Sequence, residues 1–223
     1  MQILAAWDEI GRPRGLTDNT HERIIEHMTK PSNREAILDA GLRVMFRSGY
    51  EGASIRDICE AAGAPHGSFT NHFRSKEAFA KEVLDRYFSN TKRFVIEALG
   101  DGSLDPRQRL ERYLDIITAA LEADNWRRGC LIGDFSLETS SRSELLRERL
   151  VAIFEEWRTP FASCIAEAQA GGEIDSTFDP VDLAEFILSS WEGAILRMKV
   201  DRGPAALLRF KKIAFHTIFK EQK

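Results

Sequence analysis

The chain has 223 residues, of which 43% are hydrophobic and 30% charged, with a net charge of −4. This composition supports a folded core and excludes a disordered chain, and no stretch approaches the roughly 18 uncharged apolar residues of a transmembrane helix, so no membrane partner is expected. Cys59, Cys130 and Cys164 are far apart and form no Cys-x-x-Cys pair, which argues against a disulfide framework and a metal site. Asp8 and Glu9 interrupt the region where a signal peptide would be apolar, so we expect a cytoplasmic protein without a cofactor.

Helical periodicity dominates the sequence from residue 32 onward. Ser32 and Glu35 form a capping box, Ser54 can cap the second helix, and Asp179 with Pro180 starts a late one. Pro65 fits a first helical turn, and Gly49 suits the left-handed conformation that ends a helix. Pro160 is expected to kink a long helix, because its ring clashes with the preceding turn. No segment alternates apolar and polar residues as a strand would, so we predict an all-α fold. The helices are expected at residues 32–49, 55–61, 65–71, 75–100, 106–123, 142–170, 180–200 and 204–220.

The last two predicted helices are apolar around most of their circumference. In residues 180–200, Trp191, Ile195 and Met198 belong to an apolar surface too broad for one buried face. A helix of this kind is buried on two sides, which favours a homodimer interface built from residues 180–200 and 204–220. The alternative is a monomer in which one of these helices is central and the other covers it.

Two short predicted helices on either side of Gly63 match the spacing of a helix-turn-helix. In the second, Phe69 and Phe73 are spaced to anchor the inner face, which leaves small and polar side chains facing outward. Residues 61–76 contain no Asp or Glu, and Lys76 stands at a helix N-terminus, where free amides favour a phosphate. The pattern favours DNA binding, with a purely structural helix pair as the alternative. The candidate DNA contacts in this region are Arg56, Pro65, His66, Gly67, Ser68, Thr70, Asn71, His72 and Lys76.

The run Gly-Ser-Phe-x-x-His-Phe-x-Ser-Lys-Glu-Ala-Phe begins at Gly67, and residues 34–80 around it resemble the DNA-binding domain of TetR-family transcriptional repressors. The resemblance implies a homodimer that sets two recognition helices in successive major grooves of double-stranded operator DNA. It also implies a larger ligand-binding domain whose last two helices form a four-helix bundle across the dimer. Thr70 stands where most members carry a tyrosine that touches the DNA backbone, which leaves Lys76 as the implied phosphate ligand.

The N-terminal extension carries a second candidate DNA contact. The segment Gly-Arg-Pro-Arg-Gly at residues 11–15 resembles the core of AT-hook arms, which bind the minor groove. Arg12 and Arg14 suit a narrow, electronegative groove, and Pro13 extends the backbone. The alternative is a tail that is disordered or that only improves solubility. The expected domains are the extension (1–31), the helix-turn-helix domain (32–78) and the ligand-binding and dimerisation domain (79–223).

Cys130 lies in an unusual segment, residues 126–135, that combines aromatic residues with two arginines. A cationic neighbourhood from Arg127 and Arg128 would lower the pKa of the thiol and make it reactive, whereas a cysteine beside apolar residues is ordinarily a packing residue. Lys199 shares a helix stripe with Trp191, where a partly buried ammonium group needs an acceptor.

Two further runs point to a subgroup within the TetR family. They are Arg-Arg-Gly-Cys-Leu from residue 127 and Trp-Glu-Gly-Ala-Ile-Leu-Arg-Met-Lys from residue 191. They resemble the TetR subgroup of acrylate-responsive repressors, and the first shares Gly-Cys-Leu with the N-ethylmaleimide-reductase repressor. The resemblance implies a pocket for a small unsaturated acid, its acyl derivative or another reactive carbonyl compound. The expected effector site contains Trp126, Cys130, Phe135, Trp157, Trp191, Glu192 and Lys199.

These observations favour a ligand-responsive repressor over two other classes of protein. A cysteine-dependent acyl-binding enzyme would need a base near Cys130, but four of the five histidines lie at or before residue 72. We therefore expect no enzymatic activity. An architectural DNA-binding protein without an effector is the other alternative, although the long second half of the chain is elaborate for that role.

Overall fold

The computed structural model describes residues 33–220, which form nine α-helices that we number in chain order. The first four are α1 (Asn33–Gly52), α2 (Ile55–Ala62), α3 (His66–His72) and α4 (Lys76–Leu99). The other five are α5 (Pro106–Ala123), α6 (Leu131–Thr139), α7 (Glu144–Ala170), α8 (Pro180–Asp201) and α9 (Ala205–Ile218). In this part of the chain β pairing is limited to an isolated bridge between Ile174 and Phe219, and the all-α prediction is confirmed. Ser32, Arg12 and Arg14 lie outside the described residues.

The chain divides into two compact units between residues 83 and 84, at a point inside α4. The boundary that we expect after residue 78 also falls inside this helix. No helix of residues 33–220 has the length and apolar character needed to cross a membrane.

An aromatic cluster forms part of the core of the first unit. The ring centroids of Phe69, Phe73 and Phe79 lie 4.7–5.2 Å apart, and all three side chains are buried. Gly41 in α1 allows this packing, because a Cβ atom there would lie 2.2 Å from the Phe79 ring. The core therefore fixes α3 through its Phe69 side and leaves the opposite side of α3 in solvent.

The caps of the helix-turn-helix follow the sequence prediction closely. The hydroxyl of Ser54 accepts the N–H of Asp57 at 3.1 Å, and Gly63 ends α2 in the left-handed conformation with φ 62°. Pro65 differs, because its extended backbone (ψ 144°) places it before α3 rather than in the first turn. In α1, Gly49 breaks the helix with φ 74°, but helical residues resume and continue to Gly52.

The second unit contains one helix that the sequence analysis missed. Residues 131–139 form α6, which begins without a side-chain hydrogen bond at its cap and buries Leu131, Ile132 and Phe135. A helix this short gives little periodic signal, and its start lacks the Ser, Thr, Asp or Asn that marks other helices. Ser143 caps α7, which continues through Pro160 to residue 170.

The helix α8 packs against both α7 and α9. Trp191 and Met198 on its inner side are completely buried. Its remaining surface and that of α9 expose large apolar side chains, each between 50% and 70% accessible: Phe186, Leu196, Val200, Leu208 and Ile213. An apolar surface of this kind on two neighbouring helices is typical of a protein–protein contact.

Candidate functional site

The outer face of α3 carries the residues predicted to touch DNA. His66, Gly67, Thr70, Asn71 and His72 are exposed, and Ser68 is partly exposed. This polar face results from the spacing of Phe69 and Phe73, which hold the opposite side in the core. The hydroxyl of Thr70 donates to the carbonyl of Gly67 at 3.0 Å, so it is already engaged within the helix.

The helices before and after α3 each carry a predicted basic contact. Lys76 occupies the first position of α4, and its ammonium group lies 4.6 Å from the centroid of the Tyr50 ring. Arg56 lies in α2 and pairs with Glu60, one turn further on, at 2.8 Å. This ion pair is largely exposed, and exposed pairs contribute little energy, so Arg56 remains able to exchange its partner for a phosphate. Pro65 is exposed at the start of α3.

Arg43 makes a contact within the first unit that the sequence analysis missed. Its guanidinium group donates to the carbonyl of Ala61 at 3.3 Å and so links α1 to the end of α2. The available signal was a basic residue on the polar side of α1, which does not reveal a contact so distant in sequence.

In the second unit, Cys130 immediately precedes α6 and is 8% exposed. Its sulfur lies 3.9 Å from the hydroxyl of Tyr87, which belongs to α4. The carboxyl group of Glu192, in α8, lies close to Cys130, and Gly133 stands between them. A Cβ atom added to Gly133 would lie 2.7 Å from Glu192 Oε2 and 3.9 Å from Cys130 Cβ. Three helices thus bring a thiol, a phenol and a carboxyl group together, and Gly133 leaves the room that the carboxyl group needs.

The surroundings of Cys130 raise the pKa of its thiol, so they do not support activation by Arg127 and Arg128, one of the two alternatives that the sequence leaves open. Burial raises the pKa of Cys130 well above its ordinary value, and the charge of Glu192 raises it further. The amides of Gly133 and Ile132 lower the pKa, but they do not offset the burial. Arg128 pairs with Asp124 at 2.6 Å, and the side chain of Arg127 is exposed.

Lys199 also forms an ion pair with a carboxylate. Its ammonium group donates to Oδ1 and Oδ2 of Asp134 at 2.8 and 2.9 Å. The lysine side chain passes over Gly129, where a Cβ atom would lie 3.3 Å from Lys199 Cδ. The sequence analysis expected an acceptor for Lys199 but did not identify Asp134, which lies four residues after Cys130 in the missed helix.

Glu192 carries an unsatisfied atom in this cluster. Its Oε1 is buried and has no hydrogen-bond partner among the described residues. Burial raises the pKa of Glu192 to about 7, and the charge of Asp134 also raises it, while hydrogen bonding with Cys130 lowers it. Both the acid and the carboxylate forms are therefore populated at neutral pH.

Aromatic side chains border the cluster. The indole N–H of Trp157 donates to the Tyr113 hydroxyl at 3.1 Å. Burial raises the pKa of Tyr113 well above its ordinary value, and the nearby Cys130 and Glu192 raise it further. Sequence reasoning missed Tyr87 and Tyr113, because each lies within an amphipathic helix where an aromatic residue is typical of the core.

The other predicted effector residues are Trp191, Phe135 and Trp126. Trp191 is completely buried against Phe210, with ring centroids 5.4 Å apart, and its Nε1 has no hydrogen-bond partner in the described part of the chain. Phe135 is completely buried in α6. Trp126 occupies a left-handed turn after α5 with φ 60°, where its backbone N–H donates to the Leu121 carbonyl at 3.0 Å.

Comparison with known proteins identifies the family. Residues 37–83 match the family described as bacterial regulatory proteins, tetR family, and residues 106–214 match the tetracyclin repressor-like C-terminal domain. The chain is 41% identical over 191 residues to the HTH-type transcriptional repressor DhaR of Mycobacterium sp. (strain GP1), covering 86% of this chain and 94% of that protein. This chain belongs to the TetR family.

Two further TetR-family proteins support the assignment. The transcriptional regulator AcuR of Cereibacter sphaeroides is 33% identical over 202 residues, which cover 91% of this chain and 87% of AcuR. A crystal structure of the regulatory protein TetR from Rhodobacter sphaeroides superposes with a TM-score of 0.80 and 32% identity, covering 84% of this chain and 99% of that one. The chain is therefore a transcriptional repressor of the TetR family with a helix-turn-helix, and not an enzyme. Members of this family dimerise, bind operator DNA and respond to small molecules.

Proposed function

We propose that this TetR-family repressor leaves its operator when a small unsaturated or electrophilic compound, such as an acid, an acyl derivative or an aldehyde, binds beside Cys130. The observation that carries the proposal is the buried Oε1 of Glu192, which has no partner in the described part of the chain. A buried polar atom without a hydrogen bond costs about 1–3 kcal/mol, and a ligand that supplies the bond recovers that energy. The neighbouring thiol and the phenol of Tyr87 make the same place chemically suited to a polar, unsaturated ligand.

The proposed effector site contains the seven residues expected from the sequence. Cys130, Glu192 and Lys199 supply its polar part, the last through its ion pair with Asp134. The aromatic wall that we propose is formed by Trp126, Phe135, Trp157 and Trp191, of which the last three are buried.

Operator release requires that the effector bind the DNA-incompetent arrangement more tightly than the competent one. The helix α4 can connect effector binding to DNA release, because it carries both Lys76 at its first position and Tyr87 three turns later. A ligand that displaces the Tyr87 hydroxyl from Cys130 acts directly on the helix whose N-terminus we propose to hold phosphate. The two DNA-reading helices of the dimer would then lose the separation that the operator requires.

The proposed DNA contacts follow the exposed surface of the helix-turn-helix. His66, Gly67, Ser68, Asn71 and His72 face base edges in the major groove, while Arg56, Pro65, Thr70 and Lys76 lie along the backbone. From the N-terminal extension, Arg12 and Arg14 enter the adjacent minor groove. The domains proposed for these roles are residues 1–31, 32–78 and 79–223, and the proposed location of the protein is the cytoplasm.

The proposed dimer forms through α8 and α9. The apolar side chains that these helices expose, among them Leu196, Val200 and Ile213, would be covered by the same helices of a second copy. This arrangement is the four-helix bundle that the sequence resemblance implies.

The proposed effector binding is reversible. A thiolate is the nucleophilic form of cysteine, and the raised pKa of Cys130 leaves the thiol protonated at neutral pH. Glu192 and the aromatic wall can hold a ligand without any bond to sulfur.

The test is an operator-release titration. Fluorescence anisotropy of a labelled operator is followed while acrylate, acrylamide or crotonaldehyde is added to the wild type, to Cys130→Ser and to Cys164→Ser. Cys164 is the matched control, because it is also buried but lies in α7 and approaches the Pro106 carbonyl at 3.4 Å. We expect at least one compound to release the wild type and the Cys164 variant, a shifted midpoint for Cys130→Ser, and no adduct by intact mass. An unchanged midpoint for Cys130→Ser would contradict the proposed site.

A further inference from the structure

We infer that the effector is an uncharged carbonyl compound held by a hydrogen bond from the carboxyl group of Glu192, and that the site rejects carboxylates. This inference rests on the proposed effector site and narrows the class of ligand that the site takes. The sequence leaves open whether the effector is an acid, an acyl derivative or an aldehyde, and the inference excludes the acid.

Of the three cations near Cys130, Lys199 and Arg128 are already paired with carboxylates, and the side chain of Arg127 is exposed. Lys199 donates to both carboxylate oxygens of Asp134, at 2.8 and 2.9 Å. Arg128 pairs with Asp124 Oδ1 at 2.6 Å, and the backbone N–H of Arg128 donates to Asp124 Oδ2 at 3.0 Å. An anionic ligand would have to break one of these pairs before it gained Lys199 or Arg128 as a counterion.

The charge that remains in the cluster is the negative charge of the carboxylate form of Glu192. Glu192 lies beside the thiol, and Asp134 is close enough to raise the pKa of Glu192. Like charges repel strongly where water is excluded, so a carboxylate ligand would meet repulsion without compensation. An uncharged ligand meets no such repulsion.

Glu192 can instead supply a hydrogen-bond donor. Its acid form is populated at neutral pH, because burial raises its pKa to about 7. The O–H of that acid form can donate to a carbonyl oxygen, and the Oε1 atom has no other partner in the described residues. Room for the carboxyl group comes from Gly133, where a Cβ atom would stand 2.7 Å from Oε2. The acid form of Glu192 offers no counterion to an amine, whose charge would also have to leave water.

The experiment compares ligands that match in shape and differ in charge. Isothermal titration calorimetry near neutral pH measures the affinity of the full chain for acrylamide and acrylate, for crotonamide and crotonate, and for butyramide, butyrate and butylamine. We expect each amide to bind at least about tenfold more tightly than its matched carboxylate, and butyramide more tightly than butylamine. The saturated series shows that the preference needs no reactive double bond.

Variants of Glu192 distinguish the effect of its negative charge on ligand affinity from the effect of its hydrogen bond to the ligand. Glu192→Gln keeps an N–H donor, so we expect the affinity for amides to stay within about threefold and the discrimination against carboxylates to shrink to about threefold. Glu192→Leu should lose amide binding. Glu185→Gln is the control, because Glu185 lies on the same helix and is exposed.

Each outcome decides the inference. If carboxylates bind as tightly as the amides, the inference is wrong, but the proposed effector site is not contradicted. Butylamine binding most tightly overturns it as well, because the carboxyl group would then act as a buried anion. If no compound binds up to about 10 mM, the inference falls, and the proposed function falls with it if none of these compounds releases the operator. The wild-type comparison needs no variant, so it decides the inference even if a Glu192 variant fails to fold.

Discussion

Lys199 donates to both carboxylate oxygens of Asp134 and so ties α8 to α6 one turn after Cys130. The side chain of Asp134 is 19% exposed and that of Lys199 is 36% exposed, so the pair is only partly screened by water. The pairing supplies the acceptor that the partly buried ammonium group needs. It also fixes the position of the short helix that Cys130 precedes.

Removal of one member of this pair should destabilise the protein more than removal of both. Lys199→Met leaves Asp134 without its cation, for which we expect a loss of about 1–2 kcal/mol in the free energy of unfolding. The double variant Lys199→Met/Asp134→Asn should recover at least half of that loss. Urea denaturation of the four proteins in the cycle measures the coupling, and strictly additive effects would show that the ion pair does not contribute.

Glu192→Gln should stabilise the protein at high pH and have little effect at low pH. The folded pKa of about 7 lies above the ordinary value of 4.5, so the folded state binds the proton more tightly than the unfolded state. Ionisation of Glu192 therefore costs stability progressively as the pH rises from about 4.5 to 7, and the neutral glutamine avoids that cost. We expect a difference of at most about 3 kcal/mol between urea denaturation at pH 8 and at pH 4.5. A variant effect of equal size at both values would show that the carboxyl group does not titrate in this window.

Lys76→Ala should weaken binding to specific and to non-specific DNA alike. Loss of one phosphate contact lowers the slope of log affinity against log salt by about 1. Lys212→Ala is the control, since Lys212 is exposed on α9 in the other unit and should change neither quantity. Anisotropy titrations at several salt concentrations give the slopes, and an unchanged slope for Lys76→Ala would remove that residue from the phosphate contacts.

Leu196→Asp should convert dimers to monomers. Leu196 is 50% exposed on α8, in the surface that we propose to be covered by a second copy. We expect the dimer dissociation constant to rise at least about tenfold, because a carboxylate would be buried without a partner. Ile96→Asp provides the control, since Ile96 is 67% exposed on α4. Sedimentation velocity separates the two states, and an intact dimer for Leu196→Asp would place the interface elsewhere.

Deletion of residues 1–31 should reduce affinity for operators with A·T-rich flanks more than for operators with G·C-rich flanks. The reason is the pair Arg12 and Arg14, which suits the narrow minor groove of A-tracts. The truncated protein should still dimerise. An equal loss on both kinds of flank would mean that the extension contributes only non-specific attraction.

The fold was predictable wherever a helix begins at a strong cap. Ser54, Gly63 and Asp179 mark helix ends in the sequence and take those positions in the structure. The helix α6 was not predictable by the same reasoning, because Cys130 supplies no cap hydrogen bond and the helix has only nine residues.

The identity of several residues of the candidate site could be predicted from the sequence, but the charge interactions among them could not. Sequence reasoning singled out Cys130, Glu192 and Lys199, but it left open whether neighbouring arginines activate the thiol or Cys130 is a packing residue. Arg128 instead pairs with Asp124, a contact that adjacency to Cys130 does not reveal. Tyr87 reaches Cys130 from 43 residues away, and only the folded structure shows that contact.

The most direct test of the account compares effector affinity for the protein alone and for the protein saturated with operator DNA. Coupling between two binding sites is reciprocal, so a compound that weakens operator binding must itself bind more weakly when operator is present. Isothermal titration calorimetry would use the compound of the acrylate, acrylamide and crotonaldehyde series that releases operator at the lowest concentration. We predict at least about tenfold weaker binding in the presence of operator for the wild type, and an altered factor for Cys130→Ser. Equal affinity with and without operator would contradict the claim that binding beside Cys130 controls release of DNA.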